Sequence, residues 1–220
     1  METFVEAYDD RVLAFIDVLG WKDLIEQSIG HEGVFHLILA ASSTIRLPSL
    51  VASVDADSEA DADVQAAHFS DTFVLSAPPD AGAVTVLLSY VRSLCTVLLK
   101  AGHYTRGAIV RGDLFHRHDV IFGPALVEAY LIEKNIARTP RIVVTPRAQE
   151  CIESDQDTLV TRDSDGHSFL DVLCALRDPS DLHGIRERVQ EKIVREAGRP
   201  ELKEKSDWML AYIDRLLDGR

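Results

Sequence analysis

An α+β fold is what this chain predicts, on three observations. Strand-like and helix-like segments follow one another in the order β α α β β α β α β, and two of the strand-like runs are separated only by Ser70 and Asp71, as in an antiparallel hairpin. No internal repeat or flexible linker interrupts the series. Helices covering one face of a mostly antiparallel sheet satisfy that order.

RVLAFIDV (11–18) is short and rich in Val, Ile, Leu and Phe, which fits a strand buried on both faces. Gly20 follows, and WKDLIEQS reads as a helix with Trp21, Leu24 and Ile25 on one side. GVFHLILAASSTI (33–45) is a second helical pattern, ending near Pro48. DADSEADADV (55–64) superficially resembles a calcium loop, but Ala60 and Ala66 stand where the glycine and the bidentate acid are needed, so it reads as a solvated loop.

VQAAHF (64–69) and TFVLSA (72–77) form the hairpin, and AGAVTVLLSYVRSLCTVLLKAG (81–102) is a long amphipathic helix closed by Gly102. TRGAIVRGDLF (105–115) is a strand. GPALVEAYLIEKNIA (123–137) starts a helix with proline at its first position. RIVVT (141–145) is a strand, TPRAQECI a short helix, and DTLVTR with HSFLDVL a closing hairpin around SDG. From Asp181 the chain is charged and helical, with Leu210, Ile213, Leu216 and Leu217 as an apolar stripe that docks on the body or a partner. The organisation is therefore a body over 1–180 and a helical extension over 181–220.

The 220 residues suffice for one substantial core. A formal net charge of −13 argues against broad binding to nucleic acid or an anionic membrane, which needs a dense basic surface. Cys95, Cys151 and Cys174 have no metal or redox spacing and read as reduced thiols. METFVEAYDDR lacks the regions of a signal peptide, and the apolar stretch VTVLLSYVRSLCTVLL is interrupted by Arg92 and reads as too short and polar to span a bilayer. A cytoplasmic protein is expected.

Asp17 ends an apolar strand, where an ionised carboxylate needs compensation by hydrogen bonds or a cation. It either caps the next helix or holds a metal. Asp71, at the hairpin tip, is ordinary as a turn residue. If the first strand lies beside the hairpin, the two acids converge, and Mg²⁺ or Mn²⁺ commonly binds one or two carboxylates with phosphate oxygens. The VLGW segment then offers turn amides and a helix N-terminus to a polyphosphate. Cationic candidates are Arg106, Arg111, Lys134, Arg138 and Arg141, with Arg106 and Arg111 on opposite strand faces because they are five apart. HRH (116–118) reads as a solvated pair of histidines, and His68 as a half-buried strand residue.

The ordered set FIDVLGW, HFSDTFVL, RGAIVRG and FGPALVEAYLIEK, from about residue 11 to 145, resembles the class III nucleotidyl cyclase catalytic domain. That resemblance implies a ferredoxin-like βααββαβ core, with Asp17, the Val18 carbonyl and Asp71 as ligands of two Mn²⁺ or Mg²⁺ ions. It also implies a homodimer with active sites at the interface. The positions at which the family reads a purine fall on Ala67 and Val120, and its transition-state Asn and Arg fall on Val127 and Leu131. With this degenerate pattern the chain looks like the pyrimidine cyclases of Pycsar antiphage defence, which make a cyclic pyrimidine nucleotide that activates a separate effector.

The implied reaction converts UTP, or as second choice CTP, to the 3′,5′-cyclic monophosphate and pyrophosphate. Asp17 and Asp71 carry the catalysis, and Leu19, Gly20, Trp21, Arg106, Arg111, Tyr130, Lys134 and Arg138 bind substrate. Tyr130 and Lys134, four apart on one helix face, are the expected replacements for the missing Asn and Arg. The competing readings are an inactive nucleotide-sensing module, a purine nucleotide cyclase, another palm-like nucleotidyl transferase, and a structural scaffold.

Overall fold

In the computed structural model, which describes residues 7–44, 63–118, 120–153, 159–174, 176 and 179–219, the body is a mixed sheet with helices on both faces. The acidic loop read at 55–64 lies outside the described residues except for Asp63 and Val64. The chain runs β1 (Asp9–Val18), α1 (Trp21–Ser28), α2 (Glu32–Thr44), β2 (Gln65–Phe69), β3 (Thr72–Ala77) and α3 (Ala81–Lys100). It continues through β4 (Thr105–Arg117), β5 (Val120–Phe122), α4 (Pro124–Asn135), β6 (Ile142–Val144) and α5 (Pro146–Gln149). The closing elements are β7 (Val160–Arg162), β8 (Ser168–Leu170), α6 (Pro179–Arg195) and α7 (Pro200–Asp218).

The strand order is β2-β3-β1-β4-β6-β8-β7, with β5 folded back on β4. Neighbours are antiparallel except β4 and β6, which are parallel. Alternation along β1 divides the core. Val12, Ala14, Ile16 and Val18 pack with Phe73, Leu75 and the helices α1 to α3, whereas Leu13 and Phe15 pack with Val74, Ala108, Val110 and the α4 residues Ala125 and Ala129. The expectation that helices cover one face is therefore corrected: α4 occupies the other face, because β1 and β4 are apolar on both.

Helix α3 is long and apolar enough to cross a membrane by length and composition, contrary to the sequence reading. It instead buries Val84, Leu87, Leu88, Val91, Leu94, Cys95 and Leu98 in the core. Within α1, Trp21 and Leu24 are buried while Ile25 is exposed, which corrects the three-residue stripe. Helices α6 and α7 pack on each other and form a second core, in which Leu182, Ile185, Met209, Tyr212 and Ile213 meet Leu99, Tyr104 and Phe169 of the body. Buried Arg141 ties the β7–β8 turn down through ion pairs to Asp163, at 2.5 Å, and Asp165.

His116 is not the solvated residue its HRH context predicts, because β4 continues through Arg117 and turns its side chain inward. His118, by contrast, is exposed in the turn that follows. The Nδ1 atom of His116 lies 2.8 Å from the Ser76 hydroxyl, which also accepts from Arg11 Nε at 2.9 Å. Burial, with the Arg11 charge, holds the His116 imidazole down at a pKa of about 4, against 6.5 ordinarily.

The unfolded chain takes up this proton near pH 6.5 and the folded protein only near pH 4, so stability is lost as pH falls through that window. Urea unfolding of wild type and His116→Gln between pH 7 and pH 4 should show the wild type losing on the order of 3 kcal/mol relative to the variant. A constant difference across that range would refute neutral burial.

Candidate functional site

Asp17 stands at the last position but one of β1, paired in register with Thr72 of β3 and Arg106 of β4. The two-residue turn Ser70–Asp71 closes the β2–β3 hairpin, with Ser70 in the left-handed region at φ 57°. The Val18 amide donates to the Asp71 carbonyl at 2.9 Å, so the hairpin tip is tied by its backbone to the residue after Asp17. His68 braces the tip. Its Nε2 lies 2.7 Å from the Ser70 carbonyl, and its ring stacks on Phe73 at 4.0 Å with Trp21 edge-on. The sequence reading of a half-buried strand residue is corrected here, since His68 is exposed yet ordered by those contacts.

Arg106 organises the acids. Its Nε donates to Asp17 Oδ2 at 3.0 Å, and its Nη2 lies 2.5 Å from Glu133 Oε1 of α4. Burial raises the Asp17 pKa more than the Arg106 hydrogen bond and charge lower it, and the negative charge of Asp71 adds to the rise against a small pull from Lys205. The Glu133 carboxyl is likewise raised, by burial first, opposed by Arg106 and reinforced by Asp17 and Asp71. Three carboxylates therefore share one neighbourhood with one directly paired guanidinium.

Glu133 was missed by sequence reasoning. Its signal was legible, because it continues the buried Ala125, Ala129 stripe at a spacing of four, where an apolar residue is expected. Asp17 is not a helix cap: Gly20 occupies the N-cap of α1 at φ 80°, without a side-chain cap bond. The left-handed turn at Gly20 favours glycine there. The Leu19 amide does not face a ligand, since it donates to the Tyr104 carbonyl at 2.9 Å, which corrects its place among the phosphate-facing groups. The first amides of α1, beginning at Trp21, have no partner within the helix.

Arg111 is placed elsewhere. It pairs with Val12 in register, five residues or roughly 17 Å along β1 from Asp17, and its guanidinium holds Asp10 at 2.9 Å and Cys151 Sγ at 3.3 Å. It cannot serve the Asp17 site of its own chain. Tyr130 and Lys134 share the outer face of α4, with the ammonium 5.7 Å from the ring centroid, and Tyr130 meets Phe15 edge-on. Arg138, after the helix, is exposed, and so are Val120 of β5 and Val127 and Leu131 of α4. No cluster of three or more His, Cys, Asp or Glu side chains in metal-ligating geometry occurs among the described residues.

No protein-family model matches the chain, and no curated protein matches it. Among solved structures, a bacterial light-regulated adenylyl cyclase superposes at a TM-score of 0.50 and 13% identity, over 85% of this chain and 58% of its own. Another structure of a bacterial light-regulated adenylyl cyclase gives 0.48 at 13% identity, over 77% and 54%. The chain has a class III nucleotidyl cyclase-like fold. It spans little more than half the length of those proteins. Within this cyclase fold, Asp17, Asp71, Arg106 and Glu133 occupy one end of the sheet on the α4 side.

Because the folded Asp17 carboxyl holds its proton to higher pH than the unfolded one, its ionised form is disfavoured by folding, and stability is gained as pH falls through the raised value. Asp17→Asn should therefore unfold at a urea concentration equal to or above that of wild type at pH 7, with the gap narrowing toward pH 4. A variant clearly less stable at pH 7 would show that the Arg106 pair outweighs desolvation.

Proposed function

We propose that the protein is a cytoplasmic pyrimidine nucleotide cyclase, converting UTP, with CTP second, to the 3′,5′-cyclic monophosphate and pyrophosphate. The observation that carries the proposal is the Asp17 and Asp71 pair on a cyclase fold, joined by the Val18 to Asp71 backbone bond and set before the Gly20 turn. The 3′ oxygen forms a bond to the α phosphorus, pyrophosphate leaves, and the hydroxyl proton passes to solvent or to a carboxylate.

The donor set suits divalent ions. Asp17, Asp71 and Glu133 carry more negative charge than Arg106 offsets, and all the candidate ligands are oxygens. Mn²⁺ or Mg²⁺ held by Asp17, Asp71 and the Val18 carbonyl would supply acidification of the ribose hydroxyl and neutralisation of the phosphates. Arg106 keeps Asp17 in one orientation through its Nε bond, which favours a single geometry for the reacting groups. The α1 N-terminus offers amides from Gly20 and Trp21 to phosphate oxygens.

A homodimer is supported by the outer face of α4. A groove of about 860 Å³ there is lined by Tyr8, Phe122, Val127 and Leu131, all at least 48% exposed, and Tyr130 and Lys134 lie on the same helix. In that assembly Tyr130, Lys134 and Arg138 take up base or phosphate contacts, Arg111 serves the partner's site if any, and the product activates a separate effector in antiphage defence. One observation favours an inactive sensor instead: Val127 and Leu131 are exposed apolar side chains where the family places its Asn and Arg.

Purified protein incubated with each of the four ribonucleoside triphosphates and Mn²⁺ should form cyclic UMP, with release of pyrophosphate, and Asp71→Ala should reduce turnover at least about 100-fold without lowering the melting temperature. Conversion of ATP or GTP alone would replace the pyrimidine assignment with a purine one. No cyclic product from any triphosphate would leave the sensor reading.

A further inference from the structure

The C-terminal helices reach the Asp17 end of the sheet. The Tyr104 hydroxyl donates to Ser206 Oγ of α7 at 3.0 Å, and Lys192 of α6 donates to the Gly102 carbonyl at 3.0 Å while lying 4.1 Å over the Tyr104 ring. Tyr104 is the residue whose carbonyl holds the Leu19 amide, so the extension is anchored directly behind the β1–α1 turn. Between them lies a cavity of about 210 Å³, lined on one side by Leu19, Gly20 and Asp23 and on the other by Lys192, Glu196, Arg199 and Lys205.

We infer that Lys192 of α6, Arg199 of the link before α7 and Lys205 of α7 form a cationic subsite for the terminal phosphates of a nucleoside triphosphate whose reacting end lies at Asp17. The identity of the ligand rests on the cyclase reading, whereas the anion site rests on the cavity. The charge balance supports it. In a chain with 36 acidic and 23 basic residues, carboxylate partners for cations are plentiful. Arg11, Arg106, Arg111, Arg117, Arg141 and Arg186 all have one.

Among the described residues, neither Arg199 nor Lys205 makes an ion pair, yet both face this cavity. Asp23 and Glu196 line it too, and Glu196 accepts from Ser206 Oγ at 3.1 Å. The three cations exceed these two carboxylates, and the α1 N-terminus adds partial positive charge of about +0.5. The cavity wall at Leu19 and Gly20 begins two residues after Asp17, at the end of β1, so the cavity and the acid pair adjoin. Burial holds the Lys192 ammonium below the ordinary lysine range, opposed by Glu196 and assisted to a lesser degree by Arg195 and Lys205.

Titration calorimetry of the full chain with inorganic pyrophosphate tests the subsite without requiring turnover. The double variant Arg199→Gln, Lys205→Gln should bind pyrophosphate at least about tenfold more weakly than wild type. Lys205→Arg, which keeps the charge, should bind like wild type, as should Lys203→Gln, whose lysine pairs with Asp207 on the same helix. Pyrophosphate binding unaltered in the double variant, with its folding verified by circular dichroism, would overturn the subsite, even if the protein cyclises a triphosphate. Weakened pyrophosphate binding in a protein that cyclises none would uphold the subsite and remove the cyclase reading.

Discussion

Arg106 stands between two carboxylates that arrive on different elements, Asp17 from β1 and Glu133 from α4, and the geometry of the whole end of the sheet depends on that bridge. One guanidinium delivers a single positive charge to two acids, and Asp71 adds a third from the hairpin tip. Folding therefore brings together more negative charge than the immediate site neutralises. Such an arrangement costs stability, as the raised Asp17 and Glu133 carboxyls indicate.

The opposite end of the same face makes the contrast. There Arg11 bonds Ser76 and Asp63, and Ser76 meets a neutral His116, so buried polar groups of β1, β3 and β4 satisfy one another. Polar burial at that end pins strand register. At the Asp17 end the same three strands leave the charge incompletely offset, and the C-terminal segment brings up Arg199 and Lys205, which make no ion pair among the described residues. The two ends differ in charge balance although they share strands.

Much of the fold was legible because it is written in local pattern. The short apolar run in TFVLSA, the two-residue gap at Ser70–Asp71, and Gly123–Pro124 at the start of α4 each state their element within a few residues. What escaped depended on contacts distant in sequence. His116 looked like a loop residue beside Arg117 and His118, and only the length of β4 turned it inward. The Leu19 amide looked available until Tyr104, 85 positions away, took it. Glu133 was overlooked within an otherwise apolar stripe, and the convergence of Arg199 and Lys205 on the Gly20 turn requires the packing of α7 on the body. The convergence of Asp17 and Asp71 was expected only if β1 lies beside the hairpin, and the β1–β3 pairing puts it there.

The central claim is that the acids at this end are held in excess of their cations so as to bind a divalent ion with a polyphosphate. The most direct measurement is a ¹³C-carboxylate NMR titration of Asp17, without and with saturating Mg²⁺ and pyrophosphate. The expected result is a pKa above the ordinary 3.8 in the metal-free protein and a fall when both are added. An Asp17 carboxyl that titrates at the same pH in both conditions would contradict it.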